Sequence, residues 1–152
     1  MLECFRILKS GGRCGISTWD TIGWLPSVRD AIATIPGAPS FPDDETFLTS
    51  MGDGKPWNRA EYVKENLQAL GFEDIKVEVM REASLIDNAT AFAEQFSTIL
   101  AQFTSKFWST EECARCGGEV KPALVKYMSE KYPDDQPFEL TMVAILASGR
   151  KP

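Results

Sequence analysis

Three short segments of the chain have the hydrophobic pattern of β-strands. The first is an apolar run from Cys14 to Trp19, bounded by glycines and by Asp20. The second, Phe72 to Met80, alternates apolar side chains with lysine and glutamate, which is typical of a half-buried strand. The third runs from Leu140 to Leu146. The pattern therefore predicts three strands.

Apolar residues at helical spacing predict about four helices around these strands. The strongest signal follows Asn88, which is suited to cap a helix. Glycine or proline ends the helical segments, as at Gly71 and Pro133. The segments are the end of a helix over Leu2–Leu8, a short helix over Ser27–Thr34, a helix over Pro56–Leu70, a long helix with Phe92, Phe96, Ile99, Leu100, Phe103 and Phe107, and a helix through Leu124, Val125 and Met128.

These elements predict one α/β domain over residues 1–152, since a length near 150 residues is typical of a single domain. Four prolines break the pattern from Thr21 to Gly54, and loops of this length usually cover a site or move. The predicted parts are a helix end and strand over 1–20, a loop or lid over 21–58, a helix and strand over 59–80, a helical lid over 88–132 and a last strand over 138–150.

The composition excludes several classes of partner and chemistry. With 16 Lys and Arg against 22 Asp and Glu, the net charge of −6 has the wrong sign for binding nucleic acid or an anionic membrane. The absence of His removes His-based nucleophilic machinery and His-ligated metal sites, so no metal is expected. No apolar run approaches the ~18 residues of a membrane helix, so we expect a soluble, cytoplasmic protein.

The four cysteines are too few and too unevenly spaced for a disulfide scaffold, which favours reduced thiols. Cys113 and Cys116 have the spacing used by redox and zinc sites. A zinc site needs two further ligands, and a redox pair needs a strand-to-helix setting, so incidental helix cysteines are the favoured interpretation. The acidic clusters Asp43-Asp44-Glu45 and Asp134-Asp135 are most simply solvated surface.

A family resemblance enters with the segment Cys4 to Arg13, which reads Cys-Phe-Arg-Ile-Leu-Lys-Ser-Gly-Gly-Arg, and with the strand that follows it to Trp19-Asp20. This segment resembles the turn before the fifth strand of class I S-adenosylmethionine-dependent methyltransferases, in particular the ubiquinone and menaquinone biosynthesis type. The Leu67–Phe72 turn and the Val143–Lys151 strand are similar to the sixth- and seventh-strand regions of that family.

The resemblance implies the C-terminal half of a Rossmann-like methyltransferase fold, with the fifth, sixth and seventh strands of the family. The family holds its cofactor on the first half of the sheet, in a glycine-rich turn after a strand. Gly11-Gly12, Gly52-Asp53-Gly54 and Gly117-Gly118 do not follow predicted strands, so no residue is assigned to a cofactor. We therefore expect no cofactor, with S-adenosylmethionine used only if another chain supplies the first half.

A half-sheet of this kind leaves the edge of the Cys14–Trp19 strand without its neighbour. An open apolar edge is a template for another strand. The expectation is a homodimer, a partner chain that carries the first half, or a rearranged helix over this edge.

The candidate site residues lie past the first strand, where open α/β sheets bind ligands. Asp20 is the candidate catalytic carboxylate, flanked by Trp19 and Trp24 as walls for a hydrophobic small molecule. The alternative is that Asp20 caps a turn and both tryptophans are core residues. Further candidate substrate-binding residues are Met51, Trp57, Phe92, Phe96 and Phe103, whose phenylalanines are equally explained by a buried helix face or an oligomer interface.

Two functions follow from these expectations. The first is a cofactor-independent enzyme of secondary metabolism, of cyclase or isomerase type, that acts on a hydrophobic small molecule by positioning and by a carboxylate. The second is the substrate-side fragment or split subunit of an S-adenosylmethionine-dependent methyltransferase, or a relative that only binds.

Overall fold

The computed structural model describes residues 1–133 and 136–152, so the Asp134-Asp135 prediction lies outside the described residues. The described residues form three strands, seven α-helices and a 3-10 turn at Gly117–Glu119. In chain order the elements are α1 Leu2–Ile7, β1 Arg13–Ile22, α2 Leu25–Ala33, α3 Asp44–Met51, α4 Ala60–Ala69, β2 Glu73–Ile86, α5 Ala89–Phe107, α6 Thr110–Cys116, α7 Val120–Lys131 and β3 Phe138–Arg150.

The three strands form one sheet in the order β1-β3-β2. β1 and β3 run antiparallel from the pair Arg13 and Arg150 to the pair Ile22 and Met142, with a bulge at Asp20. The α/β class and the three strands are thus confirmed, and the order is that expected for fifth, seventh and sixth strands. All three strands are longer than the hydrophobic pattern indicated.

The chain divides into two compact units. Unit 1 comprises Met1–Ile22, Glu45–Glu82 and Met142–Pro152. Its core contains Val63 and Leu67 of α4, Ile145 of β3, and Phe72, which comes just before β2. Gly149 lies so close to Phe72 that an added Cβ would be 2.9 Å from the Phe72 Cβ, which explains a glycine within β3 at this position.

Unit 2 comprises Gly23–Asp44 and Ala83–Thr141. In this unit α7 packs against both α2 and α5. Fully buried side chains come from each helix, including Leu25, Phe92, Leu124 and Met128. Burial of such apolar surface is the dominant favourable contribution to folding.

The long helix after Asn88 is confirmed, and the Asn88 side chain accepts a hydrogen bond from the Ala91 amide as its N-cap. Some apolar positions of the predicted elements are not buried: Ile99 is 40% exposed and Val79 of β2 is 55% exposed. Residue type alone therefore does not decide which of these side chains is covered.

The prediction of about four helices missed two short ones. α3 occupies part of the segment predicted as a loop or lid, and α6 begins at a capping box in which Ser109 and Glu112 exchange hydrogen bonds. A helix of seven or eight residues shows too few turns for its periodicity to stand out. In the described part of the chain, no helix is both long and apolar enough to cross a membrane.

Candidate functional site

Unit 1 contains a pocket of about 410 Å³ that collects three of the predicted substrate-binding residues, Trp19, Met51 and Trp57. Ile16 and Leu48 contribute further apolar side chains to the walls of the pocket. A volume of this size is within the range of ~300–1,000 Å³ that small-molecule sites occupy. The pocket is therefore our candidate functional site.

β1 forms one side of the pocket through four consecutive residues, Ile16 to Trp19. Successive side chains of a strand point to opposite faces of a sheet. Residues that point to both faces of the sheet therefore belong to the lining of the pocket. Trp19 immediately precedes the bulge at Asp20 and is 40% exposed, so its indole is available to a ligand.

The turn between α3 and α4 positions Trp57 on the other side. An added Cβ on Gly52 would lie 2.6 Å from Cδ1 of Trp57, so the indole occupies the space that a side chain would need. The ring of Tyr62 packs against Trp57 edge-on, with the centroids 5.3 Å apart. The position of Trp57 is therefore fixed from two directions.

Hydrogen bonds hold the same turn from outside the pocket. The Glu45 carboxylate accepts from Asn58 Nδ2 at 3.0 Å and from Arg59 Nη2 at 2.9 Å. Asn58 is buried, and its Oδ1 has no partner among the described residues. Asp44 and Glu45 belong to a cluster predicted as solvated surface. Both side chains are partly exposed, but each binds a specific partner: Asp44 pairs with Arg29, and Glu45 pairs with Arg59.

Asp53 is a pocket residue that sequence reasoning missed. Among the described residues lining the pocket, it alone has a charged side chain. Its φ of 57° is in the left-handed region, which is uncommon for a residue other than glycine. The sequence signal was the Gly52-Asp53-Gly54 turn, which we considered only as a possible cofactor loop.

Asp20, the predicted catalytic residue, is at the bulge of β1 and half-buried. Thr21 Oγ1 donates a hydrogen bond to its carboxylate at 2.7 Å. It is not among the described residues that line the unit 1 pocket. A catalytic role for Asp20 stays a prediction.

The other predicted substrate-binding residues, Trp24, Phe92, Phe96 and Phe103, belong to unit 2. The Trp24 and Phe96 ring centroids are 5.2 Å apart, and those of Phe92 and Phe96 are 4.8 Å apart. Trp24 and Phe92 are buried, whereas Phe96 and Phe103 are half-buried. These contacts fit the alternative of a packed core, and contact with a substrate stays a prediction.

A second pocket of about 380 Å³ lies in unit 2 beside Arg115 and Cys116. Arg115 Nη2 donates to the Gly37 carbonyl at 2.9 Å, and its Nε lies 3.5 Å from the Cys116 sulfur. All four cysteines are free thiols. No cluster of three or more His, Cys, Asp or Glu side chains that could hold a metal occurs within residues 1–133 and 136–152.

The described residues do not fit S-adenosylmethionine. A cofactor turn of this family follows a strand, opens a helix and lets the backbone approach the ligand. In the described chain, Gly23 is the glycine in such a place, between β1 and α2. An added Cβ there would lie 2.0 Å from the Thr141 carbonyl oxygen, so this glycine makes room for the protein's own backbone.

The chain is similar in sequence to proteins that are named methyltransferases. The chain is 33% identical over 150 residues to the methyltransferase tpcH of Aspergillus fumigatus, covering 99% of this chain and 52% of the relative. It is 32% identical over 152 residues to the acetylaranotin bis-thiomethyltransferase of Aspergillus terreus, covering 99% and 54%. The chain thus spans about half the length of the curated relatives it matches, and no family model matches it.

Among solved structures, the chain is similar to phospholethanolamine N-methyltransferase 2 of Haemonchus contortus in complex with phosphomonomethylethanolamine and S-adenosylhomocysteine. The TM-score is 0.40 with 19% identity, covering 99% of this chain and 29% of the other. The expectation of no cofactor is contradicted by the comparisons. The relatives are named methyltransferases, and a methyltransferase needs a methyl donor.

Proposed function

We propose that these 152 residues form the substrate-side part of an S-adenosylmethionine-dependent methyltransferase that acts on a hydrophobic small molecule of fungal-type secondary metabolism. The similarity to fungal methyltransferases along nearly the whole chain, over about half of their length, supports this function. The function first expected from the sequence, a cyclase- or isomerase-type enzyme, depended on cofactor independence, which the names of the relatives contradict.

The observation that carries the proposal is the unit 1 pocket with Trp19, Met51 and Trp57 in its walls. Aromatic and thioether side chains offer large apolar contact area and adapt to the shape of a ligand. In this function the chain binds and orients the methyl acceptor and excludes water from it. Because the described residues do not fit the methyl donor, no transfer step is assigned to them.

The partner in this proposal is a segment equivalent to the part of the relatives that the chain does not match. Its seat is the edge of β1, which in the described chain pairs with β3 on one side. An unpaired strand edge presents amide and carbonyl groups that another strand can use. A second copy of this chain is the alternative occupant of the same edge.

Reconstitution tests the function. We expect no turnover from the chain alone, and formation of S-adenosylhomocysteine when the chain is mixed with the unmatched segment of the A. fumigatus relative, S-adenosylmethionine and a panel of aromatic phenols and thiols. Trp57→Ala should lower turnover in the mixture, because it removes one wall of the pocket. The matched control is Trp24→Phe, which changes an indole in unit 2.

Two results would count against the proposal. One is a mixture that forms a stable complex yet yields no S-adenosylhomocysteine, while the full-length relative is active on the same panel. The other is micromolar binding of S-adenosylmethionine to the chain alone in calorimetry, since the described residues provide no glycine-rich turn for it.

A further inference from the structure

We propose that Asp53 recognises the hydroxyl group of a planar aromatic substrate in the unit 1 pocket, and so distinguishes the methyl acceptor from its methylated product. The inference rests on the proposed function and names the substrate class of its site. It depends on three features of unit 1: two indoles in the pocket wall, one charged side chain in the lining, and the backbone geometry at that residue.

The walls favour a flat, largely apolar ligand. Trp19 comes from β1 and Trp57 from the turn before α4, so two separate elements contribute an indole to the lining. Ring faces bind flat aromatic groups by offset stacking in addition to apolar burial. The contact between Gly52 and Trp57, at 2.6 Å for an added Cβ, shows that the turn is shaped around this indole.

Asp53 is the unusual residue on this lining. A φ of 57° suits glycine best, and aspartate is one of the few other residue types that adopt this region with some frequency. Gly54, the next residue, also has a positive φ, of 75°. A Cβ added to Gly54 would have no atom within 4 Å. Asp53 is exposed to solvent where it lines the pocket, so its carboxylate is accessible to a ligand.

The chemistry of a carboxylate sets what Asp53 recognises. An ionised carboxylate only accepts hydrogen bonds, and bonds to charged groups are roughly twice as strong as neutral ones. A phenol donates such a bond, whereas its methyl ether has no proton to donate. The same contact therefore favours the acceptor and releases the product. The ammonium probe used below tests a cationic ligand, which a carboxylate beside two indoles would also attract.

Binding of three naphthalene probes to the 152-residue chain tests the inference. The probes are 2-naphthol, 2-methoxynaphthalene and the cation 2-naphthylmethylammonium. The binding of each probe is measured by the quenching of tryptophan fluorescence. We expect 2-naphthol to bind about tenfold more tightly than 2-methoxynaphthalene, the size expected for a hydrogen bond to a charged acceptor near solvent.

Variants at Asp53 should reduce this preference in steps. Asp53→Asn keeps a neutral acceptor and tolerates the left-handed backbone, so the preference should fall to a few-fold. Asp53→Gly removes the side chain and suits the left-handed backbone, so the two probes should bind equally while 2-methoxynaphthalene binds as before. Asp74→Gly is the matched control, because Asp74 also has a positive φ, of 48°, and is not among the described lining residues.

Three outcomes would overturn the inference. They are an unchanged preference in Asp53→Gly, tighter binding of the ammonium probe than of 2-naphthol by the unmodified chain, and no binding of either neutral probe. Failure here is distinguishable from failure of the proposed function. A chain that reconstitutes methyl transfer but shows no Asp53-dependent preference retains its function and loses only this substrate assignment.

Discussion

Gly52 is the residue on which the candidate site depends most directly. Its missing side chain makes room for the Trp57 indole, at 2.6 Å from the position of an added Cβ, and the Lys55 carbonyl oxygen lies at 2.7 Å. Both contacts are closer than real Cβ atoms allow, and one of them is to backbone. The side chain of Trp57 and the turn that carries it are therefore coupled to this single glycine.

Gly52→Ala should destabilise the chain by about 1–3 kcal/mol, the usual cost of forcing extra volume into a packed site, and should weaken binding of 2-methoxynaphthalene. Urea denaturation and fluorescence titration measure the two effects. Gly15→Ala on β1 is the control, because nothing lies within 4 Å of its added Cβ, and its change should stay within about 0.5 kcal/mol. Equal effects of the two substitutions would show that Trp57 does not depend on Gly52.

At the scale of elements, the ends of β2 and β3 are joined by charge. Arg150, the last residue of β3, donates from Nε to Asp74 at 2.8 Å and from Nη2 to Glu73 at 2.9 Å. The hydrogen bond from Arg150, followed by its charge, lowers the pKa of Asp74 from its ordinary 3.8. Arg13 of β1 lies 3.7 Å from the same carboxylate, so all three strands meet at one ionic cluster.

Arg150→Met should therefore raise the pKa of Asp74 back toward 3.8, as followed by NMR titration of the carboxyl carbon. A lowered pKa in the folded state means that this pair stabilises the fold above pH 3.8, and that the stabilisation is lost as the pH falls through the folded-state value. Lys76→Met is the control, since Lys76 is the weakest of the causes acting on Asp74. A pKa that stays low in Arg150→Met would assign the shift elsewhere.

The elements also show what the sequence could predict. Helix α5 was predicted because its apolar positions repeat over many residues, and Asn88 marks the helix cap by residue type alone. Strand β1 was predicted from a short run bounded by glycines. Helix α3 was missed because eight residues among prolines give little periodic signal. Asp53 was missed for a different reason: its place on the pocket depends on how α3 and the following turn pack, which local pattern does not record.

At the scale of the whole molecule, the aromatic residues predicted as one substrate site belong to two compact units. Trp19, Met51 and Trp57 belong to unit 1, whereas Trp24 and Phe92 belong to unit 2. Trp19 and Trp24 were predicted from their place past the first strand, and aromatic or thioether side chains serve both pockets and cores. Burial separates the two groups only in part, since Trp24 is 4% exposed, whereas Trp57 of unit 1 and Phe96 of unit 2 are both half-buried.

In the proposed function, the edge of β1 binds the segment that corresponds to the rest of a methyltransferase. Its length, with nine residues in register with β3, gives a long row of amide and carbonyl groups on the opposite side. Backbone amides of successive strand residues point alternately toward the paired strand and away from it. Ser17 and Thr18, opposite Leu146 and Ile145, therefore differ in the direction of their N–H groups.

Ser17→Pro and Thr18→Pro form a self-controlled pair, because proline removes one amide proton in each. One of the two substitutions removes an amide that faces β3, and this substitution should lower the midpoint of urea denaturation. The other should leave that midpoint nearly unchanged but abolish association with the unmatched segment of the A. fumigatus relative in sedimentation velocity. If the variant with unchanged stability still associates, the partner does not add a strand to β1. Loss of a dimer formed by the chain alone would instead identify a second copy as the occupant of this edge.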